Sequence, residues 1–286
     1  MTGFVRAGRF LGCDAPYEQA AWVLFGVPFD GTASFQPGSR FGPPRIREAS
    51  WNLETYSPRL GRDLAAAAVH DAGDLELPLG NVAASLAAAE AAARRFLADG
   101  KRWIALGGEH LVTLPLVRAA LERWPDLVVA HFDAHADLRD TYLGERLSHA
   151  TVLRRVWELV GDGRLFQFGI RSGTAEEWAF AAAHARTFPD AVVEPLRAAR
   201  AAWAGRPVYV TFDVDVIDPA FLPGTGTPEP GGITAGEAFE AAALFRDVEV
   251  VGIDVVETMP LHDTSQRTAL VAAKLVREFA LAVAGR

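Results

Sequence analysis

The sequence predicts an α/β fold, a three-layer arrangement with a mostly parallel central sheet and helices on both faces. Three observations predict it. Short apolar runs that read as strands alternate with longer helix-like runs along the whole chain. Acidic residues and histidines gather directly after four of those apolar runs. No linker, low-complexity tract or internal repeat divides the chain, so residues 1–286 are expected to form one domain. Strands that alternate strictly with helices run parallel and are buried on both faces. The carboxyl ends of such strands are where an open α/β sheet keeps its chemistry.

Taken in order, a strand is predicted over residues 22–27 and a short helix over 43–52, with Pro43 preset for its first turn. Asn81 is placed to cap a helix running to residue 98, and Gly100 to end it. There follow a strand over 102–106, a helix over 114–124, a strand over 127–132 and a helix over 148–160. The apolar run 165–170 is a further strand, and 175–185 and 194–203 are helices. A strand over 208–212, a helix over 234–245, a strand over 248–256 and a helix over 264–284 complete the series.

Composition narrows the class of protein. A chain of 286 residues at 50% hydrophobic content buries a large core. The lone Cys13 excludes an internal disulfide and fits a reducing compartment. No apolar segment precedes Asp14 to serve as a secretory signal, and Glu90, Arg94 and Arg95 interrupt the Ala-rich stretch after Asn81. A formal net charge of −8 argues against nucleic acid or an anionic membrane as partner. A cytoplasmic protein is expected.

The chemistry lies in four motifs: Gly107-Gly108-Glu109-His110, Asp133-Ala134-His135-Ala136-Asp137, Asp213-Val214-Asp215 and Glu257. Carboxylates and imidazoles together suit a hard to borderline divalent cation, and their number suggests a two-metal hydrolase. Alternation along a strand puts Asp133 and His135 on one face, and Asp213 and Asp215 on one face. His131 shares that parity but lies roughly 6.6 Å further down the strand, so it is read as a core or supporting histidine. Asp133 and Asp137 would be about 13 Å apart in extended chain. If both hold one ion, the backbone must curl after Ala134. The loop 218–232, rich in Pro and Gly, is neither helix nor central strand, and Asp218 before Pro219 reads as a turn former. It fits no dinucleotide or phosphate-loop fingerprint.

These motifs, in this order, resemble the ureohydrolases, the family of arginase, agmatinase and their relatives. The likeness extends to Gly31-Thr32-Ala33-Ser34-Phe35, to Pro37-Gly38-Ser39-Arg40-Phe41-Gly42-Pro43, to residues 212–232 and to Glu257-Thr258-Met259-Pro260. The resemblance implies an arginase-type fold with two manganese ions. It implies that His110, Asp133, Asp137 and Asp213 hold one ion. It implies that His135, Asp133, Asp213 and Asp215 hold the other, with Asp133 and Asp213 shared. Two divalent ions about 3.5–4 Å apart make a shared water nucleophilic near neutral pH. Asp137 would then move a proton to the leaving amine, and Glu257 would pair with a guanidinium through two parallel hydrogen bonds. His149 in Ser148-His149-Ala150-Thr151 corresponds to a family histidine that contacts substrate or relays protons. Glu109 stands where relatives more often carry Asp and is expected to support the loop. His70, His184 and His262 match no motif and receive no role.

The resemblance also implies a small cationic guanidino substrate and a homo-oligomer, a trimer or hexamer. The loop 138–147 lacks the arginase pattern, and Leu111 follows His110 where arginase-like chains tend to have Ser. The N-terminal third looks like that of bacterial agmatinases, so agmatine is the expected substrate. Aminopropylagmatine, guanidinobutyrate and arginine are the alternatives, with Tyr142 or Glu145 as candidates to meet the distal group. Oxygen-rich ligation favours manganese, while Fe, Co, Ni or Zn would also bind such a set. A two-metal phosphoesterase is a further alternative, and it lacks its GNH and GHxH motifs here. A non-catalytic binding relative is a third, against which stands the retention of every metal ligand.

Overall fold

The computed structural model describes residues 3–5, 8–203 and 205–284. Its strands are β1 (Phe4–Val5), β2 (Trp22–Val27), β3 (Tyr56–Ser57), β4 (Arg62–Asp63), β5 (Val69–Leu75), β6 (Arg102–Gly107), β7 (Val128–Phe132), β8 (Leu165–Ile170), β9 (Arg186–Pro189), β10 (Val208–Asp213) and β11 (Val250–Val256). Its helices are α1 (Gly42–Ser50), α2 (Val82–Ala98), α3 (Thr113–Arg123), α4 (Val152–Val160), α5 (Ala175–His184), α6 (Val193–Ala199), α7 (Ala235–Ala243) and α8 (Arg267–Ala284). Nine strands form one sheet in the order β1-β5-β2-β6-β11-β10-β7-β8-β9, and β3 and β4 make a separate small ribbon. Every pairing in the large sheet is parallel except β1 with β5. No helix among the described residues is long and apolar enough to cross a membrane.

Alternation along the strands builds the three layers. Ile104, Leu106, Val128, Ala130, Phe132, Val210, Phe212, Ile253 and Val255 pack with residues of α1, α6, α7 and α8 on one face. Val23, Phe25, Trp103, Ala105, Val129, Tyr209 and Val251 pack with α2, α3 and α4 on the other. The one N-cap read from the sequence is in place, and two capping boxes join it. Asn81 accepts the Ala84 N–H at 3.0 Å, and Thr174 and Thr234 form capping boxes with Glu177 and Glu237.

Two strands of the large sheet, β5 and β9, escape the apolar pattern. β5 carries Asp71, Gly73 and Asp74 in a buried position because Arg47, fully buried on α1, sits between the two carboxylates. Its Nε and Nη2 donate to Asp71 at 2.8 and 3.0 Å, and Nη1 donates to Asp74. A Cβ on Gly26 of β2 would lie 1.8 Å from Asp74 Oδ1, so this close pairing requires glycine. β9 is a short edge strand ending in Pro189, where proline costs no ladder bond to a further strand. The last helix starts at Arg267, later than the expected 264. Asp263 accepts from Ser265 and Thr268 N–H groups and holds 263–266 as a turn.

Candidate metal centre

The four motifs end β6, β7, β10 and β11, which are adjacent in the sheet in the order β6-β11-β10-β7. Their carboxyl ends therefore form one floor, at the place where the chain order of the sheet breaks. Side chains distant in sequence meet there. His110 Nδ1 lies 3.0 Å from Asp133, 3.2 Å from Asp137 and 3.3 Å from Asp213. His135 Nδ1 lies 2.9 Å from Asp215 and 3.4 Å from Asp133. The two groups share Asp133. All four aspartates and His110 are buried, and His135 is partly exposed.

The route by which these side chains converge differs from simple strand alternation. β7 ends at Phe132 and β10 at Asp213, and each chain then turns. Asp133 Oδ1 accepts the His135 N–H at 2.5 Å, and Asp213 Oδ1 accepts the Asp215 N–H at 2.8 Å. Each first aspartate thus closes a tight turn on the residue two ahead and swings it over the sheet end. Asp215 Oδ1 in turn accepts the Ala134 N–H at 3.0 Å, locking the two turns together. The curl required after Ala134 is present. Asp137 has φ of 52°, and Ala136 N–H binds Ser172 O at 3.0 Å, bringing the Asp137 carboxylate back to His110.

A layer of polar residues, buried except for the half-buried Thr187, lies one level down the strands. Thr187, Gln167, His131, Thr211 and Asp254 are in register across β9, β8, β7, β10 and β11. Thr211 Oγ1 donates to Asp254 at 2.6 Å and accepts from His110 Nε2 at 2.9 Å. That fixes the proton on Nε2 and leaves the Nδ1 lone pair facing the carboxylates. On the other side Thr187 donates to Gln167 Oε1 at 3.0 Å, orienting the Gln167 amide to donate to His131 Nδ1 at 3.1 Å. His131 Nε2–H then donates to Asp133 at 2.8 Å. With both ring nitrogens used, His131 supports a carboxylate and has no lone pair to offer an ion. Burial also lowers its pKa, in keeping with a neutral ring. Thr211 and Asp254 went unread in the sequence, although a polar residue within an apolar strand, two before Asp213, was the available signal.

The donor set fits divalent metal. His110 Nδ1 is buried with no hydrogen-bond partner, although three carboxylates surround it. Among the described residues no lysine or arginine forms an ion pair with Asp133, Asp137, Asp213, Asp215 or Glu257. Burial and the neighbouring Asp215 and Asp133 drive the Asp213 carboxyl well above its ordinary pKa. Carboxylates crowded in this way need a compensating cation.

Above this floor opens a cavity of about 250 Å³, lined among others by Ser34, Asp137, Tyr142, His149, Thr227 and Glu257. Glu257 stands at φ 62°, and its Oε1 accepts the His110 N–H at 2.9 Å. A Cβ on Gly226 would come within 3.2 Å of Glu257 Oε2, so glycine leaves that oxygen room. His149 Nε2 meets Ser34 Oγ at 3.1 Å, and its ring stands edge-on to Tyr142. Glu109 is fully buried and accepts both the N–H and the hydroxyl of Thr32. Thr32 Oγ1 also accepts the His149 N–H at 3.1 Å, so Glu109 holds the loop as expected and through it the histidine. Of the two candidates for a distal group, Tyr142 lines the cavity. Glu145 pairs with it through backbone hydrogen bonds of 2.8 and 2.9 Å and is absent from the cavity wall. Asp218 is a turn former, accepting from Ala220, Gly231 and Gly232.

Comparison with known proteins agrees with this geometry. The sequence profile of the Arginase family matches residues 20–282. The chain is 48% identical over 275 residues to the agmatinase of Halalkalibacterium halodurans, covering 95% of both. It is 47% identical over 277 residues to that of Bacillus subtilis, again covering 95% of both. The solved agmatine ureohydrolase of Thermoplasma volcanium superposes with a TM-score of 0.87 at 35% identity, over 96% of this chain and 93% of that one. A metal-fitted carboxylate floor on this sheet, with these relatives along almost its whole length, places the chain in the arginase family.

Proposed function

We propose that this protein is a binuclear manganese ureohydrolase, one domain over 1–286, that cleaves agmatine to putrescine and urea. The observation that carries the reading is the buried, unpartnered His110 Nδ1 among three carboxylates that no lysine or arginine of the described residues neutralises. His110, Asp133, Asp137 and Asp213 would hold one ion, and His135, Asp133, Asp213 and Asp215 the other. When bound, such a pair activates water as a nucleophile and balances charge.

The chain's own residues do the rest. Glu257, buried at the base of the cavity, offers a carboxylate edge to a planar guanidinium and orients its carbon toward the floor. Asp137, between His110 and the cavity, takes the proton released on attack and delivers it to the departing amine. His149, neutral because burial lowers its pKa to about 4, gives the substrate a hydrogen-bonding partner without adding positive charge. At the mouth, Arg139 lies 3.4 Å from Glu177 and stacks on Tyr142. Its charge is thus offset where the distal ammonium of agmatine would emerge. The relatives named agmatinase support this substrate over other guanidino compounds. A cytoplasmic location and a homo-oligomeric state, a trimer or hexamer, belong to the same proposal.

The test is urea release from agmatine, arginine, guanidinobutyrate and aminopropylagmatine by protein loaded with manganese. Agmatine should be turned over with the highest kcat/KM. A preference for another member overturns the substrate and keeps the chemistry, and no urea from any of them, with two ions bound, overturns the function.

A further inference from the structure

Arg171 follows β8 directly, and its guanidinium meets no carboxylate at ion-pair distance among the described residues. Every donor it has is nonetheless used. Nε donates to Pro230 O at 3.2 Å. Nη1 donates to Gly169 O and Val216 O, both at 3.2 Å. Nη2 donates to Asp215 O at 2.8 Å and Glu229 O at 2.6 Å. A guanidinium has five N–H groups in a fixed planar fork, and here all five end on backbone carbonyls from three separate segments. The backbone of Arg171 and Ser172 adds two more bonds, with both N–H groups donating to Ala134 O at 2.8 and 2.9 Å.

Those contacts are unevenly distributed over the floor. They grip Asp215 and Val216, which form the turn after β10, and Ala134, which lies between Asp133 and His135. Ala134 N–H is also the group bound by Asp215 Oδ1. Nothing in this set touches His110 or Asp213. The local backbone is built around the guanidinium, since a Cβ on Gly232 would come within 2.8 Å of Nη2 and 2.5 Å of Val216 O.

We infer that Arg171 is a positioning residue for one of the two metal positions, holding His135 and Asp215 in ligating arrangement while leaving the His110 position independent of it. The inference rests on the two-metal reading of the site. A lysine has three donors on a flexible stem and cannot span five carbonyls. Supporting groups of this kind change metal affinity by roughly 10–100-fold when removed.

The experiment is stepwise Mn²⁺ titration of the metal-free full chain by calorimetry, for wild type, Arg171→Met and Arg171→Lys, with anomalous diffraction from Mn²⁺-soaked crystals. The expected result is two ions for wild type. Arg171→Met should keep the tighter step and weaken the other by at least about tenfold. The anomalous peak should persist beside His110 and fade beside His135. Arg171→Lys keeps the charge and should fall between the two, which gives a reading even if the methionine variant does not fold. Equal weakening of both steps, or no change in either with a folded variant, overturns the inference. Wild type binding fewer than two ions overturns the two-metal reading and this inference with it.

Discussion

Two clusters of buried carboxylates sit in the same sheet and differ in one respect. In the first, on β5, Asp71 and Asp74 are matched by the guanidinium of Arg47, which enters between them and leaves none of its own charge uncompensated. In the second, at the ends of β6, β7, β10 and β11, four aspartates and Glu257 crowd two imidazoles, and among the described residues no lysine or arginine pairs with them. The first cluster finds a cation within the chain, one guanidinium set against two carboxylates, with the Phe10 and Gly73 N–H groups also donating to Asp71. The second has no such guanidinium, and in the proposed function divalent cations take its place. Burial of acid is thus no sign of function by itself, and a single buried acid such as Glu109 or Asp254 is satisfied by hydroxyl and N–H donors. What sets the second cluster apart is several acids crowded together without a lysine or arginine.

The comparison can be broken from either side, and the largest effect belongs to the metal side. Asp137→Asn keeps size and shape but removes the proton acceptor. Turnover of agmatine should fall roughly 10³-fold, measured as kcat on variant protein loaded to the wild-type manganese content. Wild-type rates would contradict the role of Asp137. On the structural side, Arg47→Met strands two buried carboxylates and should cost about 3–5 kcal/mol of stability in denaturant unfolding, while folded protein still binds two manganese ions. Loss of one ion with stability intact would erase the distinction between the clusters. Glu257→Gln should lower kcat/KM by about 10–100-fold through loss of a charged hydrogen-bonded pair, with metal content unchanged. If metal is lost instead, Glu257 belongs to the floor rather than to the substrate wall. The smallest effect concerns pH. Because burial lowers His149 to about 4, it is neutral throughout the range from pH 6 to 9. The kcat/KM profiles of wild type and His149→Gln should therefore differ in height and run parallel in shape. A wild-type limb near pH 6.5 that the variant lacks would show that His149 titrates in that range.

How far the sequence foretells this arrangement follows the same division. The candidate residues of the metal side were legible because they follow apolar strands, at the carboxyl ends where such a sheet keeps its chemistry. Distance arithmetic made a curl after Ala134 the condition for Asp133 and Asp137 to hold one ion, and Asp137 stands at φ 52°. The means of convergence was not legible. Asp133 and Asp213 bring His135 and Asp215 over the sheet by closing turns on their N–H groups, and a periodicity of two cannot reveal a turn. Nor could it show that β6, β11, β10 and β7 are neighbours, since strand order is a tertiary fact. β5 went unread for the opposite reason. Its aspartates look like loop chemistry until Arg47, 24 residues before Asp71, is placed between them. Arg171 was invisible because its partners are backbone carbonyls, which every sequence has everywhere.

The central claim is that the second cluster is completed by two cations. Equilibrium dialysis of the chelator-stripped chain against manganese, with metal counted per chain and urea release from agmatine followed on the same samples, tests it directly. The account predicts two ions bound per chain and urea release that is absent without them and restored as they bind. Full activity in the stripped protein, or saturation without any bound metal, would contradict it.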